Sequence, residues 1–328
     1  AYNPSIAGSQ PLPVFSRLSN ALLTNATVLN LIQQQQAGEL ANVYQINRLN
    51  GAVNFYRNPY GLGCNMVTNY TNGSYNALQF DVRKQTRVGL YMQGNYTWSK
   101  NLSDQEGIQQ TRFEPFLDIE NAKVERAPTS FDLRHQIKIN GTYDLPLGKG
   151  RRLNYRPVER LIGGWYVSGI YTWQTGNPFS VLSGRGTLNR AARSGNNTAT
   201  ALVTAEELKK LFQVRMTGVG PYFFAESAIN PADGRAVAPD GAAPFSGQVF
   251  RQPNAGELGA LQRRMFNGPR VWNLDFSIGK RTAITERQSI ELRMDSTNLF
   301  NHPTWYVGDL TITSTQFGRI TSTMFGRR

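Results

Sequence analysis

The chain has 328 residues, 17% of them charged, and a formal net charge of +13. That length can bury one large core or two ordinary ones. The lone cysteine, Cys64, excludes an internal disulfide framework and a cysteine metal site. The positive balance does not point to nucleic acid. The basic residues collect in short turns (Arg83, Lys84, Arg87; Lys149, Arg151, Arg152; Lys280, Arg281) and at Arg327 and Arg328, not along one element among exposed aromatics.

Residues 1–44 do not alternate. A start rich in proline (Pro4, Pro11, Pro13) leads into a polar stretch, 31–44, that suits a short helix within a long loop. A weak strand is expected over 45–56, broken by Asn58-Pro59-Tyr60-Gly61. Residues 75–84 form the next strand, with Leu78, Phe80 and Val82 on one face. The basic turn 85–89 returns the chain into a strand over 90–100, which completes a hairpin. In this second strand Leu90, Met92, Gly94, Tyr96 and Trp98 alternate with Tyr91, Gln93, Asn95, Thr97 and Ser99. An irregular segment, 101–130, precedes a strand predicted over 131–147. There Leu133, His135, Ile137 and Ile139 alternate with Arg134, Gln136, Lys138 and Asn140.

After a basic connection, a strand over 164–175 places Trp165, Val167, Tyr171 and Trp173 on one side. The longest irregular stretch, 176–270, carries a capping-box pattern, Thr204-Ala205-Glu206-Glu207, ahead of Leu208, Leu211 and Phe212. That pattern predicts a short helix. Strands resume over 271–283 (Trp272, Leu274, Phe276, Ile278) and 289–300 (Ile290, Leu292, Met294), and a final pair is expected over 306–313 and 317–325.

Period-two alternation gives each strand one apolar and one wet face. Here the wet face carries full charges and the dry face ends in aromatics, as a wall between lipid and an aqueous lumen requires. The fold class expected is all-β, an antiparallel transmembrane β-barrel portion with long loops that carry short helices. No run approaches the ~18 to 20 apolar residues of a membrane helix, but barrels cross with short amphipathic strands. Gln93, Asn95, Arg134, Lys138, Glu291, Arg293 and Asp295 are the candidates for the lumen face. Leu133, Ile137 and Ile139, with girdle tryptophans Trp98, Trp165, Trp173 and Trp272, are the candidates for the lipid face, and Trp305 fits a girdle as well. Short turns alternate with long connections, which matches short periplasmic turns and long extracellular loops.

Catalytic constellations are thin. His135 sits on an apolar strand face and His302 in a turn, and neither stands near a nucleophile. Gly184-Arg185-Gly186 lacks the surroundings of a phosphate cradle. Asp104, Glu106, Glu114, Asp118 and Glu120 make one loop acidic without the spacing of a calcium loop, and they read as solvated. No enzyme activity and no cofactor are expected.

Several stretches carry a family resemblance. Tyr75-Asn76-Ala77-Leu78-Gln79 with Asn95-Tyr96-Thr97-Trp98-Ser99-Lys100 resembles paired strands of TonB-dependent outer-membrane receptors of the Oar-like, acidobacterial type. So do Phe131-Asp132-Leu133-Arg134-His135 and the Tyr143-to-Gly150 stretch, Gly163-Gly164-Trp165, and Thr175-Gly176-Asn177-Pro178-Phe179. Asn273-Leu274-Asp275-Phe276-Ser277, Asn298-Leu299-Phe300-Asn301-His302-Pro303 and Phe317-Gly318-Arg319-Ile320 continue it in order. The resemblance implies the C-terminal part of a Gram-negative outer-membrane barrel, with extracellular loops at 1–44, 101–130 and 176–270. It further implies outer-membrane lipid, the parent's plug and earlier strands, TonB through that parent, and a ligand the sequence does not identify as partners. The chain departs from the family pattern in two ways. It stops at Met324-Phe325-Gly326-Arg327-Arg328, short of the usual closing strand, and it shows no plug or energy-coupling box. About eight strands are legible, against about 22 in large plugged transporters. A structural alternative therefore stays open: a β-rich surface protein or barrel fragment that self-associates through its strand edges. A secreted soluble β-enzyme is the third class.

Overall fold

The computed structural model describes residues 5–8, 21, 25–33, 36–55, 58, 69–104, 116–118, 120–148, 159–187 and 197–323. The expected proline-rich start, Cys64, the 149–152 turn, Glu106, Glu114 and the 324–328 end lie outside them. Six long strands form one antiparallel meander: β1 (Gly73–Gln85), β2 (Leu90–Ser103), β3 (His135–Asp144), β4 (Trp165–Gln174), β5 (Val271–Ala283) and β6 (Ser289–Ser296). Each pairs with its predecessor, and the two-residue strand Ala127–Pro128 adds to the end of β2. Among the described residues neither β1 nor β6 pairs on its outer side, so the sheet is open. The alternation predicted for these strands is what a ladder needs: Tyr, Thr, Val, Ile and Trp recur, and proline is absent from all six.

Register fixes which side chains share a face, because residues directly opposite one another point the same way. One row runs Phe80–Tyr96–Ile137–Trp173–Trp272 across five strands. The next runs Val82–Gly94–Ile139–Tyr171–Leu274, and further along lie Tyr143–Val167–Ile278–Met294 and Trp165–Lys280–Leu292. The intervening rows belong to the other face, among them Asp81–Asn95–Lys138–Thr172–Asn273. One face is therefore mostly apolar and the other mostly polar across the sheet, with Lys84 and Lys280 as apolar-face exceptions near the short-turn end.

The two longest connections, 104–134 and 175–270, leave one end of the sheet; the turns after Gln85 and Ala283 and the 145–164 connection leave the other. Beyond the long-connection end lies a separate globular unit. Its core joins the β4–β5 connection to the segment after β6: Leu208, Phe223, Phe224, Phe250 and Phe266 pack with Leu310, Ile312, Phe317 and Ile320. Phenylalanine rings interlock there, with Phe212 and Phe224 centroids 4.9 Å apart and Phe224 and Phe317 5.1 Å apart. Helix α1 (Ala26–Gln33) and helix α2 (Ala37–Ile46) lie near the chain start, and α3 (Ala205–Leu211) belongs to the globular unit. The predicted capping box forms: Thr204 N donates to Glu207 Oε2 at 2.8 Å and Glu207 N to Thr204 Oγ1 at 3.3 Å.

Four expectations are corrected. The described part of the 45–56 stretch, 45–55, is not a strand: α2 runs to Ile46, and Asn50 then turns the chain by donating to Gln45 Oε1 at 3.0 Å. β3 begins at His135, not at 131. The carboxylate of buried Asp132 accepts the Asn101 N–H at 2.6 Å, which holds 131–134 in a turn. β6 ends at Ser296, where left-handed Asn298 and Asn301 redirect the backbone. Among the described residues the final strand pair is reduced to one antiparallel bridge, Trp305 to Thr323, with Tyr306 N donating to Ser322 O at 3.3 Å. Residues 310–312 are extended, but they bond to Leu182 of the globular unit (Leu182 N to Leu310 O at 3.0 Å, Ile312 N to Leu182 O at 2.9 Å).

Candidate functional site

On the charged face of the sheet, charges pair both along single strands and between neighbouring ones. Asp81 binds Arg83 at 2.9 Å and accepts from Gln93 Nε2 at 3.0 Å. Arg293 Nε meets Asp295 at 2.7 Å. Near the short-turn end the Tyr166 hydroxyl donates to Glu291, which also takes Arg281 at 3.3 Å. The Arg281 guanidinium lies 4.6 Å over the Tyr166 ring, and that ring covers Gly279, where a methyl group would stand 2.2 Å from it. Glycine at 279 thus makes room for the tyrosine.

Of the predicted polar candidates, Gln93, Asn95, Lys138, Glu291, Arg293 and Asp295 share this face. Arg134 stands just before β3, where its carbonyl accepts the Ser99 N–H at 3.1 Å and its guanidinium meets Asp132 at 3.5 Å. Tyr166 and Arg281 complete the network and were not among the candidates; their only sequence signal was alternation in phase with Ser168 and Ser277.

The other face carries Trp98, Ile137, Ile139, Trp165, Trp173 and Trp272 together. Leu133 lies in the turn before β3, its carbonyl accepting the Ser99 hydroxyl at 2.7 Å. Trp98, Trp173 and Trp272 cluster toward the long-connection end, where the Tyr96 hydroxyl meets His135 Nδ1 at 2.8 Å. Trp165 marks the opposite end, with Lys280 Nζ 5.2 Å above its ring. Trp305 is no girdle residue: it packs against the core of the globular unit.

The globular unit is fastened to the β2–β3 connection by a buried ion pair. Glu125 (0% exposed) accepts from Arg263 (2% exposed) and from the Leu117 and Asp118 N–H groups. Burial, with the Arg264 charge beside it, pulls the Arg263 guanidinium down to about 10. Arg264 Nε donates to Pro128 O, and Gln262 Nε2 donates to Arg126 O at 3.0 Å. Asp104 of the acidic stretch is taken up by Arg126 at 3.3 Å and by the Asn72 N–H at 3.1 Å, so its charge is spent on the protein itself.

A family model described as an outer membrane beta barrel domain matches residues 20–328. The chain belongs to that family. It is an outer-membrane β-barrel protein of the Gram-negative type, built here from mostly antiparallel strands with few helices. Neither a curated relative nor a solved structure matches the sequence.

Proposed function

We propose that the six strands form part of the wall of a TonB-dependent, Oar-like receptor, with the tryptophan-bearing face toward lipid and the charged face toward the lumen. The observation that carries this reading is the division of the register rows into a mostly apolar and a mostly polar face. A length supports it. Trp165 and Trp173 stand eight residues apart on β4, roughly 27 Å along the strand. At the usual tilt of about 40° that is about 20 Å along the membrane normal, close to an apolar band about 25 Å tall between aromatic girdles. The globular unit, at the end bearing the long connections, then faces the exterior and captures ligand. The polar face lines the route inward, and no covalent chemistry is involved.

Spin labels test the orientation. In a Cys64→Ser background, Ile139→Cys should carry a label reached by oxygen from the bilayer, and Lys138→Cys one reached by a water-soluble nickel complex. The reverse pattern, or no contrast, would end the proposal. TonB coupling is tested by capture of the native polypeptide on the periplasmic domain of TonB, and no retention would remove that part alone. The two unpaired sheet edges favour a second reading, self-association through β1 and β6. A native polypeptide far heavier than 36.6 kDa supports the receptor, whereas ordered multimers of this mass support assembly.

A further inference from the structure

On the face read above as lipid-facing, one register row has a gap. It runs Lys84–Met92–Gly141–Gly169–Phe276–Ser296, so two adjacent strands present no side chain. Strands lie about 4.8 Å apart, which leaves Met92 and Phe276 about 14 Å from each other across a glycine floor. Glycine inside a strand costs packing and often marks close approach by a ligand or another backbone. At Gly141 the backbone supplies such a reason, because a methyl group would sit 2.8 Å from the Tyr91 carbonyl oxygen. Gly169 has no such reason: the nearest atom to a methyl group there is the Asp275 oxygen at 3.4 Å. Ile139, Tyr143, Tyr171, Leu274 and Phe276 wall the notch, and its surface is almost entirely apolar.

Tyr171 also lines a second cleft, of about 660 Å³, that continues from the notch toward the globular unit. Trp173, Trp272 and Val214 form its sides, and the His302 ring lies 4.3 Å from that of Trp272. Two polar groups converge there. Arg270 is exposed, and no carboxylate lines the cleft. His302 Nδ1 is buried without a hydrogen-bond partner. An apolar groove that ends in an exposed cation and aromatic walls matches the two ends of an anionic amphiphile. The cleft is continuous with the lipid-facing wall and lies toward its outer rim.

We infer that an anionic amphiphile of the outer leaflet lays an acyl chain over Gly141 and Gly169 and sets its phosphate against Arg270. The inference rests on the orientation given under Proposed function. Phosphatidylglycerol and phosphatidylcholine serve as probes. The full chain is placed in nanodiscs containing both, extracted into mild detergent, and its retained lipid is counted by native mass spectrometry. The native sequence should hold phosphatidylglycerol about tenfold over phosphatidylcholine. Arg270→Gln should erase that preference and Arg270→Lys keep most of it. Gly169→Val, which fills the notch, should lower retention of both lipids about tenfold. Equal retention of the two lipids by the native sequence would overturn the inference, as would Arg270→Gln behaving like it. Should Gly169→Val fail to fold, the exposed Arg270 decides alone. An Ile139 label closed to oxygen would sink the orientation itself. An accessible label with unchanged retention would sink only the bound amphiphile.

Discussion

The strand wall and the globular unit beyond it are stabilised in opposite ways. In the wall, large apolar side chains stay uncovered by protein: Val82 is 63% and Leu292 69% exposed. What holds the strands is the unbroken ladder of backbone hydrogen bonds, and in the proposed orientation the solvent that rewards those side chains is hydrocarbon. In the globular unit Leu208, Phe224, Phe250, Ile312 and Phe317 are fully covered by protein, and the favourable term is ordinary removal of apolar surface from water. One chain thus carries two solvent conditions, and the same residue type has opposite consequences in each.

Truncation and charge reversal can break that contrast. Glu125→Gln strips the partner from buried Arg263 and should cost the globular unit about 3–5 kcal/mol. Replacing both partners by leucine should recover much of that loss. Chemical denaturation with proteolysis of the 176–270 connection as readout checks both. Phe224→Ala, which opens a hole among three rings, should cost about 3–5 kcal/mol in the same assay. On the wall, Ile139→Arg should cost about 2–4 kcal/mol in lipid, because the proposed orientation sets this mid-strand residue near the bilayer midplane. Its neighbour Asn140→Arg, on the opposite face, should stay within about 0.5 kcal/mol. Refolding into vesicles at graded urea measures the pair, and equal costs would erase the distinction between faces. Gly279→Val displaces the Tyr166 ring and should cost about 1–3 kcal/mol while loosening the Arg281–Glu291 pair.

The smallest effects lie at α3 and near the chain's end. Thr204→Ala should cost about 1 kcal/mol by removing the cap. The Thr204 backbone N–H and hydroxyl hold the Glu207 carboxyl below its ordinary 4.5. Burial pushes Asp309 up, but hydrogen bonds from Ser314 and Thr311 outweigh it and leave the group below 3.8. Carboxyls lowered in the folded state stabilise fully above their unfolded values, and that contribution is lost as pH falls through the folded ones. Protection of the amides in 205–211 and 309–314, corrected for the intrinsic pH dependence of exchange, should therefore be flat above about pH 5 and fall in acid. Corrected protection that instead falls toward neutral pH would contradict the assignment.

The wall was legible because its signal is local. Ile137, Ile139, Gln136 and Lys138 alternate without error, and register merely aligns such strings. The globular unit was not legible, because its core gathers short pieces with no shared period. Phe212, Phe223, Phe250, Phe266 and Phe317 come from five places in the chain. The 306–313 stretch shows why alternation alone misleads. Leu310 and Ile312 do point one way, but period two says only that a segment is extended with one covered side. It does not say what covers that side, and here the cover is Leu182 and the phenylalanines, not a neighbouring wall strand. Likewise Tyr166, Arg281 and Glu291 meet through pairing across three strands, which no single stretch of sequence displays.

The globular core takes residues from both sides of the β5–β6 hairpin, Phe179 to Phe266 before it and Leu310 to Ile320 after it. Such a core cannot close during synthesis until the chain has passed the hairpin, so its last contacts wait for residues separated by more than a hundred positions. The globular unit therefore acts as a late-closing buckle. Insertion of the hairpin brings its two halves together, and its own closure then resists withdrawal of those strands.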